Sequence, residues 1–351
     1  MNPAGNTQKA SRRIILGLMT FGPKPEFGAR MTDMETFNEA LDLFQQRGYN
    51  EVDTARKYVG LEQEAFTRDA KWKERGLVLA TKVNSPTING DNSADKVVAS
   101  VETSLKELGT DFVDILYLHR PDRGTPFQET LEAIDKLHKA GKFGRFGVSN
   151  FTAFELAEVV MMCKYNGWVR PTIYQGIYNI IVRNIETEVF KACRRYGLEI
   201  VVFNPVGGGL FSGKIKQGVI PEDGRFSDLT RSGKIYRKRY YRDATFQAIR
   251  IIESASEKHG ISMIETALRW MVHHSKLNVV DGSDGIIIGV ASVEQLKTNL
   301  DCLEKGPLPE DVVEAAEQAW QISKGDSANY WIGDVEYTYD TIDALFGSGA
   351  K

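Results

Sequence analysis

The chain has 351 residues, 44 of them basic and 47 acidic, for a formal net charge of −3. That balance gives no electrostatic footprint for nucleic acid, and no apolar run approaches the roughly 18–20 residues of a membrane span. Its three cysteines, Cys163, Cys193 and Cys302, are odd in number and widely spaced; they offer neither a disulfide framework nor metal-ligand spacing, and they suit a reducing, cytoplasmic compartment.

The first residues carry Lys9, Arg12 and Arg13 without an apolar core, so they do not read as a secretory signal; residues 1–13 are expected to be a disordered tail and 14–351 one domain. Apolar β-rich runs then alternate with stretches of helical period. Strands are predicted at Ile14–Leu18, Glu51–Asp53, Leu77–Thr81, Val113–Leu118, Arg145–Ser149, Thr172–Gln175, Glu199–Phe203 and Gly285–Gly289. Helices are predicted at Met34–Arg47, Ala94–Leu108, Phe127–Ala140, Ala153–Asn166, Asn184–Tyr196, Phe246–His259 and Val293–Leu303, with a weaker helical signal over Glu62–Lys73. Continuous runs such as VDILYL and LEIVVF indicate strands covered on both faces, as parallel sheets require. Eight of them with intervening helices predict a closed (β/α)8 barrel. A doubly wound open sheet is the rival, but the turn after the first strand, Leu18-Met-Thr-Phe-Gly22, lacks the glycine fingerprint of that fold. About forty residues separate Phe203 from the next helix, a length typical of functional loops. The aromatic tail after Lys324 is expected to dock over the barrel mouth.

Active sites of such barrels lie at the C-terminal strand ends. The second strand ends at Asp53, followed by Tyr58; the third leads to Lys82, the fourth to His119, the fifth to Ser149 and Asn150, the sixth to Gln175, and the seventh to Phe203, Asn204 and Pro205. Singly, each has a plain reading: Asp53 as a turn cap, Lys82 as a solvated charge, His119 as a satisfied loop histidine, Tyr58 as a packing aromatic. Chance assembly of all four at one rim is much less expected than any one alone. A tyrosine with a pKa near 10 is a weak acid at neutral pH; an adjacent ammonium lowers that pKa, and a buried carboxylate keeps the ammonium charged. A neutral imidazole can then orient a carbonyl. No nucleophile has its own base, so hydride transfer with a borrowed cofactor suits the set. His138, His259, His273 and His274 fall in or beside helices and read as structural.

These residues, with Ala80-Thr81-Lys82, Gly147-Val148-Ser149-Asn150, Asn204-Pro205 and the run from Ser292 to Asn299, resemble the aldo-keto reductase superfamily from about Ile14 to Trp320. Within it the chain is similar to the aflatoxin-aldehyde reductase group, through His119–Pro126, Cys163–Trp168, Pro171–Gly176 and Ala267–His274. The resemblance implies NADPH-dependent reduction of a small carbonyl substrate, with Tyr58 as general acid, Lys82 and Asp53 tuning it and His119 orienting the substrate. It implies that Ser149, Asn150 and Gln175 hold the nicotinamide carboxamide and that Phe203 stacks on the ring. Asn204, Pro205, Gly207, Gly208, Gly209, Leu210 and Lys214 would cover the pyrophosphate, and Ser292 and Asn299 would also bind the cofactor. Gly289 and Gln295 stand where many members place the basic residues that grip the 2′-phosphate, which leaves that task to Arg225 or Lys214. Tyr236, Arg239, Tyr240 and Trp331 are candidate pocket walls. No arginine follows Asn329-Tyr330, which points away from a carboxylate-bearing substrate. The group includes homodimers, although the sequence carries no interface signal. Two other functions stay open: a cofactor-sensing regulatory subunit of the same fold, and a Schiff-base lyase using Lys82.

Overall fold

The computed structural model describes residues 12–87, 89–229, 231–280, 282–347 and 349. Its strands are β1 Arg13–Gly17, β2 Glu51–Asp53, β3 Val78–Lys82, β4 Val113–Leu118, β5 Phe143–Ser149, β6 Ile173–Ile177, β7 Glu199–Phe203 and β8 Gly285–Ile288. Each pairs in parallel with the next, and β8 pairs with β1, so the sheet closes into the expected barrel. Residues 1–11 of the expected tail lie outside the described residues; Arg12 bridges to Val280 and Arg13 opens β1, so the barrel begins one residue earlier than expected.

The helices are α1 Met34–Gln46, α2 Gln63–Asp69, α3 Ala94–Leu108, α4 Phe127–Lys139, α5 Ala153–Asn166, α6 Val189–Tyr196, α7 Arg231–Tyr240, α8 Asp243–Glu257, α9 Met263–His273, α10 Val293–Glu304, α11 Glu310–Ser323 and α12 Thr341–Phe346. α3 and α5 have the expected bounds; α5 starts on a reciprocal cap between Thr152 and Glu155. The stretch from Asn184 splits into a 3-10 turn, Asn184–Glu186, and the shorter α6. The long loop contains α7, whose RSGKIYRKRY sequence is too basic and glycine-broken to show an apolar stripe. α9, with seven buried residues, and α11 also lie outside the expected helices.

Inside the barrel, alternation along each strand sorts side chains into layers. Register pairs Ile15 with Glu51, Gly17 with Asp53 and Lys82 with Tyr117. At the floor Arg13 bonds Glu51 and Glu199, and Arg145 pairs with Glu199. Above lies an apolar plug of Ile15, Ala80, Ile115, Tyr117, Ile173, Val201 and Ile287. The two-residue repeat that buries Ala80 also turns Lys82 inward; likewise Gln175 follows Ile173, and Phe203 follows Val201. The larger core, including Phe37, Phe44, Val101, Ile134 and Leu300, fills the space between sheet and helices.

The tail docks on the C-terminal rim beside β4 and β5. Arg123, after β4, donates to the Ile332 and Asp334 carbonyls at 2.8 and 3.0 Å, and is ion-paired with Glu155. The Tyr337 hydroxyl donates to the same carboxylate at 3.0 Å. Among the described residues no helix is long and apolar enough to cross a membrane.

A Cβ on Gly147 would lie 2.4 Å from the Tyr117 ring and 3.2 Å from the Ile173 carbonyl. Gly147→Ala is therefore expected to cost about 1–3 kcal/mol, the usual scale of an overpacked interior, measured as a lower urea midpoint with an unchanged slope; equal stability would show that Tyr117 can move aside.

Candidate active site

Two of the candidate residues converge through the inward parity of β2 and β3, and Tyr58 joins them from the turn after β2. Asp53 closes β2 and Lys82 closes β3. The Lys82 ammonium has no solvent exposure and donates to Asp53 Oδ1 at 2.5 Å and to the Thr54 carbonyl at 2.7 Å. It also lies 3.4 Å from the Tyr58 hydroxyl, and 5.0 Å from the centre of that ring. Burial alone would lower the lysine pKa, but Asp53, helped by Tyr58, raises it above the ordinary 10.5, so the amine stays charged.

Tyr58 departs from expectation in one respect. Lys82 does pull its pKa down, but burial acts in the opposite direction and is stronger, and Asp53 adds to it; the net shift is upward from 10. Desolvating a phenolate costs more here than a shared ammonium returns. The phenol is thus a proton-bearing group throughout the neutral range.

His119 follows β4 directly, and its ring meets Tyr58 edge-on with centroids 5.7 Å apart. Its Nδ1 is buried without a hydrogen-bond partner. Burial, and then the charge of Lys82, with Lys57 and Arg120 behind it, push its pKa well below 6.5, so the imidazole is neutral as expected.

The tyrosine sits at the start of a tight turn in which Val59, Gly60 and Leu61 take φ values of 48°, 62° and 76°. Left-handed backbone at Val59 and Leu61 costs about 1–2 kcal/mol each, so surrounding contacts must hold it. Phe27 lies against Gly60, where a Cβ would approach within 2.8 Å of the ring. Beneath it, fully buried Gln63 and Glu64 of α2 bond Thr54 and Arg56. Sequence reasoning missed Arg56, Gln63 and Glu64. The buried positions of that short helix, Gln63, Glu64 and Thr67, are all polar, so no apolar stripe marked its inward face.

The candidate cofactor residues line the neighbouring strand ends. Ser149 and Asn150 are buried; the Asn150 amide donates to the His119 carbonyl and to Ser149 Oγ, both at 2.9 Å. The Gln175 amide nitrogen donates to Asp53 Oδ2 at 2.8 Å, so Gln175 also supports the carboxylate. Phe203, half-buried, packs against the interior plug. Asn204 has φ 69°, and its amide donates to Tyr240 Oη at 2.6 Å. Pro205 and Leu210 are buried. Gly207 and Gly209 have positive φ, and the space where a Gly209 Cβ would point is open, as a backbone cradle for a ligand requires. Gly289 likewise faces open space. Ser292 caps α10, Gln295 accepts from the Ala291 N–H at 2.9 Å, and Asn299 is buried in α10. Lys214 is exposed.

Among the candidate pocket walls, Tyr240 is 1% exposed, its hydroxyl held by Asn179 and Asn204; it is a strut under the loop and presents no open face. Tyr236 lies over Gly208, whose Cβ would meet its ring at 2.2 Å, and the guanidinium groups of Arg225 and Arg239 lie 5.8 and 5.9 Å from its centre. Those three residues therefore cluster on the glycine turn. Arg225 is also near enough to Tyr58 to oppose the rise in its pKa. Trp331 is partly buried against Tyr330.

The aldo/keto reductase family model matches residues 13–321. Human aldo-keto reductase family 7 member A3 is 39% identical over 334 residues, 92% of this chain and 98% of that protein. Rat aflatoxin B1 aldehyde reductase member 2 is 40% identical over 329 residues, 90% of this chain and 87% of that protein. An aldo-keto reductase of Pseudocercospora fijiensis is 42% identical over 295 residues, 83% of this chain and 99% of that protein.

Because the folded pKa of His119 is depressed, the unfolded chain takes up a proton that the folded chain refuses as pH falls through about 6.5. The stability present above that pH is lost below it. Between about pH 7 and pH 5 the unfolding free energy from urea titration should fall more steeply for the parent than for His119→Asn, by up to ~1.4 kcal/mol per pH unit. Equal slopes would mean that the folded imidazole titrates normally.

Proposed function

The chain belongs to the aldo/keto reductase family and is an oxidoreductase acting on carbonyl groups, and from that premise we propose that it reduces aldehydes or ketones to alcohols with NADPH, Tyr58 giving the proton. The observation that carries this reading is the buried Lys82 ammonium, shared between Asp53 at 2.5 Å and the Tyr58 hydroxyl at 3.4 Å, with the His119 ring, whose Nδ1 has no hydrogen-bond partner, against Tyr58. A dihydronicotinamide bound at the barrel mouth would supply the hydride. Ser149, Asn150 and Gln175 would hold its carboxamide and Phe203 the face of the ring. The turn from Asn204 to Lys214 would meet the pyrophosphate with backbone N–H groups, for which the open side of Gly209 leaves room.

The chain's own chemistry is then proton delivery. A carbonyl oxygen placed between the Tyr58 hydroxyl and the His119 ring accepts a hydrogen bond from the phenol as negative charge grows on it. The phenol gives up its proton, and Lys82, already charged, faces the resulting phenolate. A neutral His119 can orient the oxygen without competing as an acid. Preference for NADPH over NADH rests on Arg225 and Lys214 as partners of the 2′-phosphate, in the absence of basic residues at Gly289 and Gln295. The names of the aflatoxin B1 aldehyde reductases, and the lack of an arginine after Asn329-Tyr330, support a bulky, apolar carbonyl substrate. The free, buried Cys163, Cys193 and Cys302 support a cytosolic setting.

Tyr58→Phe should leave NADPH affinity nearly unchanged and lower turnover of 4-nitrobenzaldehyde by roughly two to four orders of magnitude, the scale of a lost general acid. Nucleotide binding without turnover by the parent chain would favour a cofactor-sensing subunit instead. Because burial keeps the Tyr58 proton in place beyond the ordinary pKa of 10, reductive turnover should be level from about pH 6 to 9 and decline only as the phenol ionises above that range. A decline centred near neutrality would assign the proton to another group.

A further inference from the structure

Tyr58 and Lys82 lie on different segments, and neither side chain by itself fixes the distance between them. Tyr58 projects from a turn of three consecutive left-handed residues, whereas Lys82 ends a barrel strand. What ties the two together is a set of buried polar contacts that the proton-transfer chemistry does not use. Glu64, with no solvent exposure, ion-pairs with the Arg56 guanidinium through one oxygen. Its other oxygen accepts from Thr81 Oγ1 at 2.6 Å, and Thr81 is the strand residue before Lys82. Arg56 in turn donates from its backbone N–H to the Lys82 carbonyl at 3.3 Å, and from its guanidinium to the Leu61 carbonyl. Arg56 thus grips both ends of the turn that carries Tyr58, and Glu64 fixes the guanidinium against the lysine strand. Beside them Gln63 bonds Thr54, whose carbonyl holds the Lys82 ammonium.

A buried carboxylate and guanidinium are a poor way merely to pack a helix against a sheet, since apolar residues of similar volume do that at least as well. Their worth here lies in geometry. We infer that Glu64, acting through Arg56, is a positioning residue that sets the separation of the Tyr58 hydroxyl from the Lys82 ammonium; this rests on the reading of Tyr58 as proton donor. Without the pair, the strained turn is free to relax towards ordinary backbone angles, and the phenol moves off the line between ammonium and substrate oxygen.

The test compares the parent chain with three variants. Glu64→Gln breaks the ion pair, and the double variant Arg56→Met/Glu64→Gln removes both charges, so that no buried ion is stranded. Thr81→Val cuts only the link from Glu64 to the lysine strand. Thermal unfolding and NADPH fluorescence would establish that each folds and binds nucleotide. The expected result for the double variant is a fall in kcat of about 10²-fold, the scale associated with an ångström of misplacement. KM and NADPH affinity should stay within about threefold, the pattern of an interaction felt chiefly in the transition state. A solvent deuterium isotope effect on kcat should also rise, as proton delivery becomes limiting; a role confined to folding would not move it. Thr81→Val should show the same change in smaller degree. A folded double variant with parental kcat, or one slowed with an unchanged solvent isotope effect, overturns the inference while leaving the reductase reading intact. A parent chain that consumes no NADPH with any aldehyde removes the reductase reading first, and this inference with it.

Discussion

An ammonium removed from water must be neutralised where it stands, and the upper part of this barrel is arranged around that demand at Lys82. Asp53 and the Thr54 carbonyl take two of its donors, and Tyr58 stands at the third. Gln175 then satisfies the other oxygen of Asp53. Each link also has a reading in the proposed mechanism: the carboxylate that offsets the charge keeps it present, and the charge would stabilise the anion that Tyr58 becomes if it donates its proton. Burial works against both charged forms: at Lys82 it is overcome by Asp53, whereas at Tyr58 it prevails and disfavours the phenolate beforehand. Tyr58 therefore keeps its proton at rest.

His119 completes the arrangement through its neutrality. A charged imidazole near Lys82 would place a second cation in a buried site. Lys57 and Arg120 reinforce the same direction. The proposed carbonyl site is in this way bounded by the charge of Lys82 and by two groups, Tyr58 and His119, that carry no charge at rest.

The strands, their order and the four rim residues were legible in the sequence because a strand's period of two and a parallel barrel's polarity leave little freedom: once VDILYL is a strand, His119 must stand at its mouth. What escaped was polar and inward-facing. Gln63 and Glu64 resemble a solvated helix face, because a polar helical residue faces water unless something else demands it. Here the demand comes from Thr54, Arg56 and Thr81, and it is visible only once the turn is folded. Tyr240 failed in the opposite sense. Its place in a basic, irregular-looking segment suggested an open wall, whereas its hydroxyl is locked between Asn179 and Asn204. The docking of the tail could be foreseen from its aromatics, but its anchor, Arg123 on the Ile332 and Asp334 carbonyls, spans more than two hundred positions and has no local signature.

The charged floor has a bearing on how the chain acquires its shape. Arg13 joins Glu51, near it in the sequence, to Glu199, 186 positions away, and the sheet closes only when β8 reaches β1. During synthesis the amino-terminal strand therefore emerges long before its last partners exist. Until they arrive it exposes a half-satisfied guanidinium and an unpaired edge, the kind of surface that invites wrong pairings. A protein so dependent on its most distant contacts is expected to fold slowly for its size, and to depend on holding that first edge out of harm until ring closure.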